Sequence, residues 1–281
     1  MKVIFIADAF VDQVLGGGEL NNHEVILELQ ARNHEVVKTN SYHATCEYIE
    51  KNSGSFFIIS NFLGLPESSK RLLKHEKYII YEHDHKYLRC RYPVEPHCKN
   101  LKCPPSEIIN LDFYLNAKAV LCQSKFHQDV MKKNIDVKNI VNLGGNLWSL
   151  SSLERMRQIS KIEKKDRCSI LGSNTIHKNM IAAIKYCEFK NLNYDVLGGL
   201  PYKQFIEKFG LNKTFCFFPK TPETLSRLVV EARMMNMGVI TNKTVGAIYE
   251  PWYSLKGGAL IDVMIKKRQE IINKIEKIMS S

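Results

Sequence analysis

Apolar positions recur along this chain in two alternating rhythms. Short runs of β-branched and aromatic residues read as buried strands at 2–8, 35–38, 56–60, 78–82, 119–123 and 140–143. Between them, 18–31, 68–74 and 125–132 carry helical spacing, with Leu20, Val25, Ile26 and Leu29 forming one stripe. Strands separated by helices argue for a parallel sheet with helices on both faces.

Residues 151–166 are polar and charged and read as a helix or linker. A second series then begins, with strands expected at 168–172, 194–198, 214–218 and 238–241 and helices at 179–189, 202–209 and 224–236. A long amphipathic helix is expected over 259–279, its apolar stripe running from Leu260 and Ile261 to Ile275 and Ile278. The pattern divides the chain into an N-terminal lobe, 1–150, and a C-terminal lobe, 151–281, which includes the linker and the terminal helix. No tandem repeat interrupts either series.

Composition narrows the class without naming a function. The 281 residues are 44% hydrophobic, which suits two moderate domains and excludes a disordered or low-complexity chain. No stretch approaches the roughly 18 apolar residues of a membrane span, and Asp8 interrupts the first apolar run too early for a signal peptide. A cytoplasmic protein is expected, its eight cysteines held mostly as thiols. Charge is uneven. Residues 1–150 hold 18 Lys+Arg against 17 Asp+Glu, whereas 151–281 hold 22 against 12. A basic half attracts nucleic acid, an anionic membrane or a phosphorylated ligand. Lys266-Lys267-Arg268 fits the wet face of the last helix.

Two motifs carry chemistry. Gly16-Gly17-Gly18-Glu19 lies between the first strand and first helix, where glycines let backbone approach a ligand and free amides favour an anion. It is not the Gly-x-Gly-x-x-Gly of dinucleotide-binding proteins. The second is Phe218-Pro219-Lys220-Thr221-Pro222-Glu223, followed by Glu231-Ala232. With a helix starting near Glu223, the two glutamates sit two turns apart on one face and can grip hydroxyls about one sugar unit apart. The amides of Thr224 and Leu225 would then meet phosphate oxygens. Glu231 falls among Leu228, Val229, Val230 and Ala232, where a carboxylate needs a partner or a job.

These features, in this order, resemble the family-4 retaining glycosyltransferases of GT-B fold. The resemblance runs from the Gly-Gly-x-Glu loop through Val120–Ser124 and Gly172…Lys178-Asn179. It ends with Glu223…Glu231-Ala232 and Gly238-Val239-Ile240, covering about residues 3–250. The E-x7-E block is its most specific part. It implies two Rossmann-like lobes facing each other across a cleft, with a C-terminal helix. The implied activity is hexosyl transfer from a nucleotide-diphosphate sugar, with no cofactor or catalytic metal. By resemblance Glu231 holds the ribose, Glu223 lies near the donor sugar and Thr224 and Leu225 supply amides to the diphosphate. Lys178 stabilises that leaving group, and Gly17 and Gly18 approach donor phosphate and acceptor. Gly172 and Ser173 also line the donor site. The arginine that normally partners the lysine is absent, since Ser173 and Asn174 follow Gly172, and Arg167 or another basic residue is the expected substitute. No Asp-x-Asp occurs in the chain, in keeping with metal-independent transfer.

Tyr81-Glu82-His83-Asp84-His85 closes the fourth expected strand, at the end where open α/β sheets gather ligands. His83 is the expected catalytic histidine, Asp84 its helper and His85 the competing assignment. Just beyond, Cys90, Cys98 and Cys103 match no standard zinc spacing. Free thiols are expected there, with a structural metal or a disulfide left open. Arg89, Arg91 and Tyr92 make that loop a candidate acceptor contact. The terminal helix is expected to pack against a lobe rather than lie on a membrane. The expected partners are a nucleotide-sugar donor and an acceptor that is a glycan, a lipid-linked glycan or modified nucleic acid. Two alternatives stay open. One is a nucleotide-sugar-modifying enzyme such as an epimerase; the other is a non-catalytic nucleic-acid-binding protein of the same fold.

Overall fold

A computed structural model describes residues 1–281. The chain forms two compact units, Met1–Trp148 with Lys267–Ser281, and Ser149–Lys266. The sequence division placed the whole terminal helix with the second lobe. Instead the helix α10 (Gly257–Ser280) begins in the second unit and ends in the first.

The first unit is built on β1 (Lys2–Ala7), β2 (Glu35–Asn40), β3 (Phe56–Ile59), β4 (Lys77–Tyr81), β5 (Ala119–Cys122) and β6 (Ile140–Asn142). All six pair in parallel, in the order β2-β1-β3-β4-β5-β6. Successive side chains of a strand point to opposite faces, and here both faces are dry. Ile4, Ile6, Phe57, Ile59, Tyr78 and Ile80 lie in one core. Val3, Phe5, Phe56, Ile58, Ile79 and Tyr81 lie in the other. This double burial explains why the strands read as continuous apolar runs. The order reverses between β1 and β3, so their carboxyl ends flank the crevice where such sheets bind ligands.

Helix α1 (Gly17–Ala31) follows β1 and buries Val25, Ile26 and Leu29 against the second core. The same core takes Ile271, Ile272, Ile275 and Met279 from the end of α10. One member of the expected basic wet face is not wet. Arg268 is 5% exposed, its guanidinium held by Glu24 at 2.7 Å and Glu28 at 2.5 Å and donating also to the carbonyl of Trp148.

In the second unit α6 (Leu150–Ser160) fills the expected linker. It is followed by β7 (Lys165–Leu171), α7 (Met180–Phe189), β8 (Tyr194–Leu197), α8 (Tyr202–Phe209), β9 (Asn212–Phe217), α9 (Arg227–Met234) and β10 (Gly238–Thr241). The four strands are parallel, in the order β10-β9-β7-β8. Cys168, Ile170, Ala183, Cys187 and Cys216 form one small core. Phe205 stacks on Phe209 and Phe215 on Phe217, the two pairs meeting edge-to-face, with ring centroids 4.9–5.4 Å apart. No helix of the chain is long and apolar enough to cross a membrane.

Candidate functional site

In the first unit, polar side chains converge at the carboxyl ends of β1, β3, β4 and β5. Gly18 opens α1 beside His83, and a Cβ added there would lie 3.5 Å from the imidazole Cγ. Asn22, one turn further along α1, meets His83 Nε2 at 2.8 Å and Ser60 Oγ at 2.8 Å. Gln123 reaches His83 Nδ1 from the end of β5, and the ring stacks on Tyr81 at 5.1 Å. An Asn22 oxygen facing Nε2 and a Gln123 amide facing Nδ1 fit the neutral ring protonated on Nε2. Both ring nitrogens are thus engaged, so a substrate hydroxyl reaches the ring by displacing Asn22 or Gln123. Asp8, ending β1, accepts from the backbone amides of Leu63 and Gly64 at 3.0 Å each and from Ser41 Oγ, tying three loops together.

Asp84 does not face the His83 ring. Its carboxylate is 2.6 Å from Lys86 Nζ and 3.0 Å from Arg91, and these cations hold it well below the usual carboxylate range. Lys86 also pairs with Glu82 at 2.5 Å, and Tyr114 donates to the same carboxylate. Burial pushes Glu82 up to about 7. His85 is 1% exposed and packs edge-on against His127 at 5.1 Å. Burial takes its pKa down to about 4, so it is a neutral core histidine. The segment after β4 therefore splits its labour. His83 points to Gly18, while Glu82, Asp84 and Lys86 form a charge cluster that fixes the segment.

The second unit carries a separate constellation. Lys178, in a single helical turn at Ile176–Lys178, bonds Glu223 Oε1 at 2.7 Å. Next to it Asn179 adopts a left-handed φ of 53° and donates to the Phe218 carbonyl at 2.9 Å, fixing the lysine turn against the end of β9. Gly172 and Gly198 close the ends of β7 and β8. A Cβ on Gly198 would fall 2.1 Å from the Gly172 carbonyl oxygen, so only glycine allows this approach. Ser173 Oγ accepts from the Thr175 amide at 3.2 Å.

Two sequence expectations need correction here. Glu223 is not in the helix of Glu231. It sits in an extended segment that pairs with Val245, its amide bonded to the Thr244 carbonyl at 2.8 Å and its carbonyl accepting from Gly246 at 2.8 Å. Ser226 then takes φ 70°, and α9 starts only at Arg227. Thr224 and Leu225 thus lie in the connecting turn, both buried, and not at a helix N-terminus. The pairing with 244–246 and the left-handed φ at Ser226 outcompete the helical pattern. Arg167 does not replace the missing arginine either. It lies five residues before Gly172, about 16 Å along a strand, and is spent on Asp195 at 2.7 Å and the Tyr194 carbonyl at 2.8 Å.

Glu231 is 1% exposed on α9. Its Oε1 accepts from Tyr202 Oη at 2.8 Å and lies 3.6 Å from Arg227 Nε. Burial and the neighbouring carboxylate raise Tyr202 well above the usual phenol range, so it stays a donor. Next to Tyr202, a depression of about 480 Å³ is lined by Ser151, Ser152, Glu154, Arg155, Gln158 and Lys203.

No protein-family model matches the sequence, and no curated protein does. Solved structures do match its shape. A trehalose-6-phosphate synthase, studied for glycosyl transfer with retention, aligns at TM-score 0.63 with 8% identity over 99% of both chains. Anabaena HepE, solved with UDP and glucose, aligns at 0.54 with 12% identity over 99% of this chain and 92% of its own. An alpha-glucosyltransferase solved with UDP and a 13-mer DNA containing an HMU base aligns at 0.53 with 12% identity over the whole of both chains. With two parallel α/β lobes and a terminal helix, these neighbours decide the architecture. The chain has the GT-B fold.

Within this GT-B chain, the candidates Lys178 and Glu223 hold each other, and the candidates His83 and Glu231 are held by residues that the sequence pattern did not single out. Asn22 lies four positions after Gly18, on the same helix face, and that spacing was the available signal. Gln123 closes β5 as His83 follows β4. Arg227 lies four positions before Glu231 on α9, and that spacing signalled the pair; Tyr202 carried none, since its approach to Glu231 depends on how α8 and α9 pack.

Proposed function

We propose that this protein is a retaining, metal-independent glycosyltransferase using a nucleotide-diphosphate sugar. The observation that carries this reading is the second-unit constellation. A lysine paired to a glutamate and a buried, oriented glutamate occur on a fold whose solved neighbours hold UDP or UDP-glucose. Glu231, aimed by Tyr202 and Arg227, takes the ribose hydroxyls. Glu223 takes the donor sugar, with Gly172 and Ser173 around the diphosphate. Lys178, held in place by Glu223, stabilises the charge that accumulates on the diphosphate.

In the reaction the bond from the anomeric carbon to the diphosphate oxygen breaks and a bond to the acceptor oxygen forms, with loss of the acceptor proton. Most of the work is stabilising the extra negative charge that the leaving diphosphate gains, which a fixed cation does without reorganising. In the first unit, His83 and the Gly17-Gly18 backbone are assigned to the acceptor and the transferring sugar. Asp84 serves as the Lys86 and Arg91 partner that fixes the histidine-bearing segment. The positive excess of the second half suits a phosphorylated donor.

The test is incubation of the protein with individual nucleotide sugars and a glycan, lipid-linked or hydroxymethylated-DNA acceptor. Free nucleotide diphosphate and product are then analysed by NMR. Sugar transfer with an α-linked product from an α-linked donor is expected. An inverted product removes the retaining assignment. Conversion of the nucleotide sugar without diphosphate release points to the epimerase class instead.

A further inference from the structure

Residues 82–118, between β4 and β5, form a long connection whose regular structure is one single-turn helix at Pro105–Glu107 and α4 (Leu111–Leu115). Connections of this length need something of their own to order them. Three cysteines meet inside it. Cys98 and Cys103 are 3% and 6% exposed and joined as a disulfide, and the three sulfurs of Cys90, Cys98 and Cys103 lie within 4.8 Å of one another. The remaining cysteines of the chain are free thiols.

The backbone explains why the sulfurs converge. Lys99 and Lys102 exchange hydrogen bonds of 2.9 and 3.0 Å, and Asn100 and Leu101 between them have φ of 51° and 66°. Positive φ at both central residues marks the tight hairpin turn that suits a two-residue loop. Cys98 and Cys103 flank it symmetrically, with Cα atoms 4.2 Å apart. The hairpin is also pinned from outside. Asn134, at the end of α5 (Lys125–Asn134), accepts from the Cys103 amide and donates to the Leu101 carbonyl, both at 2.8 Å. The turn and its anchor therefore persist without the sulfur–sulfur bond. Cys90 arrives from a separate segment, its thiol donating to the Tyr92 carbonyl at 3.1 Å.

We propose that Cys90, Cys98 and Cys103, in the reduced protein, form a three-thiolate site for a soft divalent cation such as zinc. Tetrahedral zinc with sulfur at about 2.3 Å sets its sulfurs about 3.8 Å apart, so the present cluster needs only side-chain adjustment. Three thiolates and one dication leave a net negative charge. Lys99, Lys102 and Lys133, which line the depression of about 970 Å³ over the hairpin, offset it. The Arg89 amide bonds the Glu107 carbonyl at 2.8 Å, which brings Glu107 alongside the Cys90 segment as the protein group at hand for the fourth position. In this arrangement the metal staples the connection that carries the His83 segment at its start. The assignment is independent of the donor reading.

Reaching the site takes two balanced steps. A phosphine attacks the Cys98–Cys103 disulfide and is oxidised with water to its oxide, leaving two thiols. The three thiols then release three protons to the solvent as the cation binds. The experiment uses the full chain reduced with a phosphine and titrated with Co²⁺, followed by Zn²⁺ exchange, dialysis and elemental analysis. One equivalent per chain is expected, with thiolate-to-cobalt charge-transfer absorption. Cys90→Ser, Cys98→Ser and Cys103→Ser should each weaken binding at least about 100-fold, with folding checked by circular dichroism. Cys46→Ser, in another element, should bind as the wild type does. Sub-stoichiometric metal in the reduced wild type would overturn the proposal. So would wild-type affinity in a folded Cys90→Ser variant.

Discussion

Replacing Lys178 with alanine should separate chemistry from stability. Lys178 and Glu223 are 2.7 Å apart, with side chains 35% and 16% exposed. A pair that meets this much solvent contributes about 1 kcal/mol or less to folding. At roughly 3–6 °C per kcal/mol for a unit the size of Ser149–Lys266, Tm should fall by no more than about 6 °C. The effect on transfer is larger because the ammonium acts where charge develops. A unit charge about 4 Å from the leaving diphosphate, at an effective dielectric near 20, interacts by about 4 kcal/mol. Loss of one fixed donor at such a position costs about 10²–10³ in kcat. The assay is nucleotide diphosphate release at saturating donor, beside differential scanning fluorimetry of the same preparations. Lys178→Arg should recover part of the rate and Lys178→Gln little. A folded Lys178→Ala enzyme with kcat within threefold of wild type would refute the assignment. A rate loss that merely tracks a collapse in Tm would refute it equally.

Other variants probe the scaffold. Arg268→Met leaves the buried Glu24 and the half-buried Glu28 against α10 without their cation, and calorimetry should show a loss of about 3 kcal/mol; a Tm within 2 °C of wild type would contradict this pairing. Gly18→Ala adds a Cβ at ordinary contact distance from His83 and favours helix by about 0.5–1 kcal/mol, so Tm should hold or rise while turnover drops. Unchanged turnover would deny a close backbone approach there. Gly198→Ala should unfold the second unit's sheet end, since its Cβ would strike the Gly172 carbonyl; normal thermal stability would contradict that packing. The His85 imidazole should stay neutral down to about pH 4. Its folded pKa is depressed below 6.5, so its contribution to stability is complete above pH 6.5 and fades as pH falls toward 4. A midpoint near 6.5 in ¹⁵N imidazole NMR would show it exposed.

Strands buried on both faces were the most legible part of this chain. Phe56–Ile59 and Ala119–Cys122 are runs with no polar interruption, and a parallel sheet covered on both sides demands that. The start of β7 was missed because Lys165 and Asp166 are exposed at its wet end. The helix at Glu223 failed for a tertiary reason. Its spacing to Glu231 is helical, but the partner that straightens the chain, residues 244–246, lies about twenty positions away. Arg268 looked solvated among lysines because the carboxylates that bury it come from α1, at the other end of the sequence. Local pattern thus singled out His83, Lys178, Glu223 and Glu231 as candidates, with Arg227 one turn before Glu231, and long-range packing supplied Asn22, Gln123 and Tyr202 around them.

The claim that the second unit holds a nucleotide-sugar donor is tested most directly by thermal shift. The full chain is screened against UDP-, GDP-, ADP- and CDP-sugars with EDTA present. A ligand at about 100 times its Kd stabilises the native state by about 2.7 kcal/mol. One nucleotide sugar should therefore raise Tm by several degrees without metal, and the rise should vanish in Glu231→Gln and shrink in Tyr202→Phe. A flat response across all four nucleotides would contradict the account, as would a shift that survives Glu231→Gln.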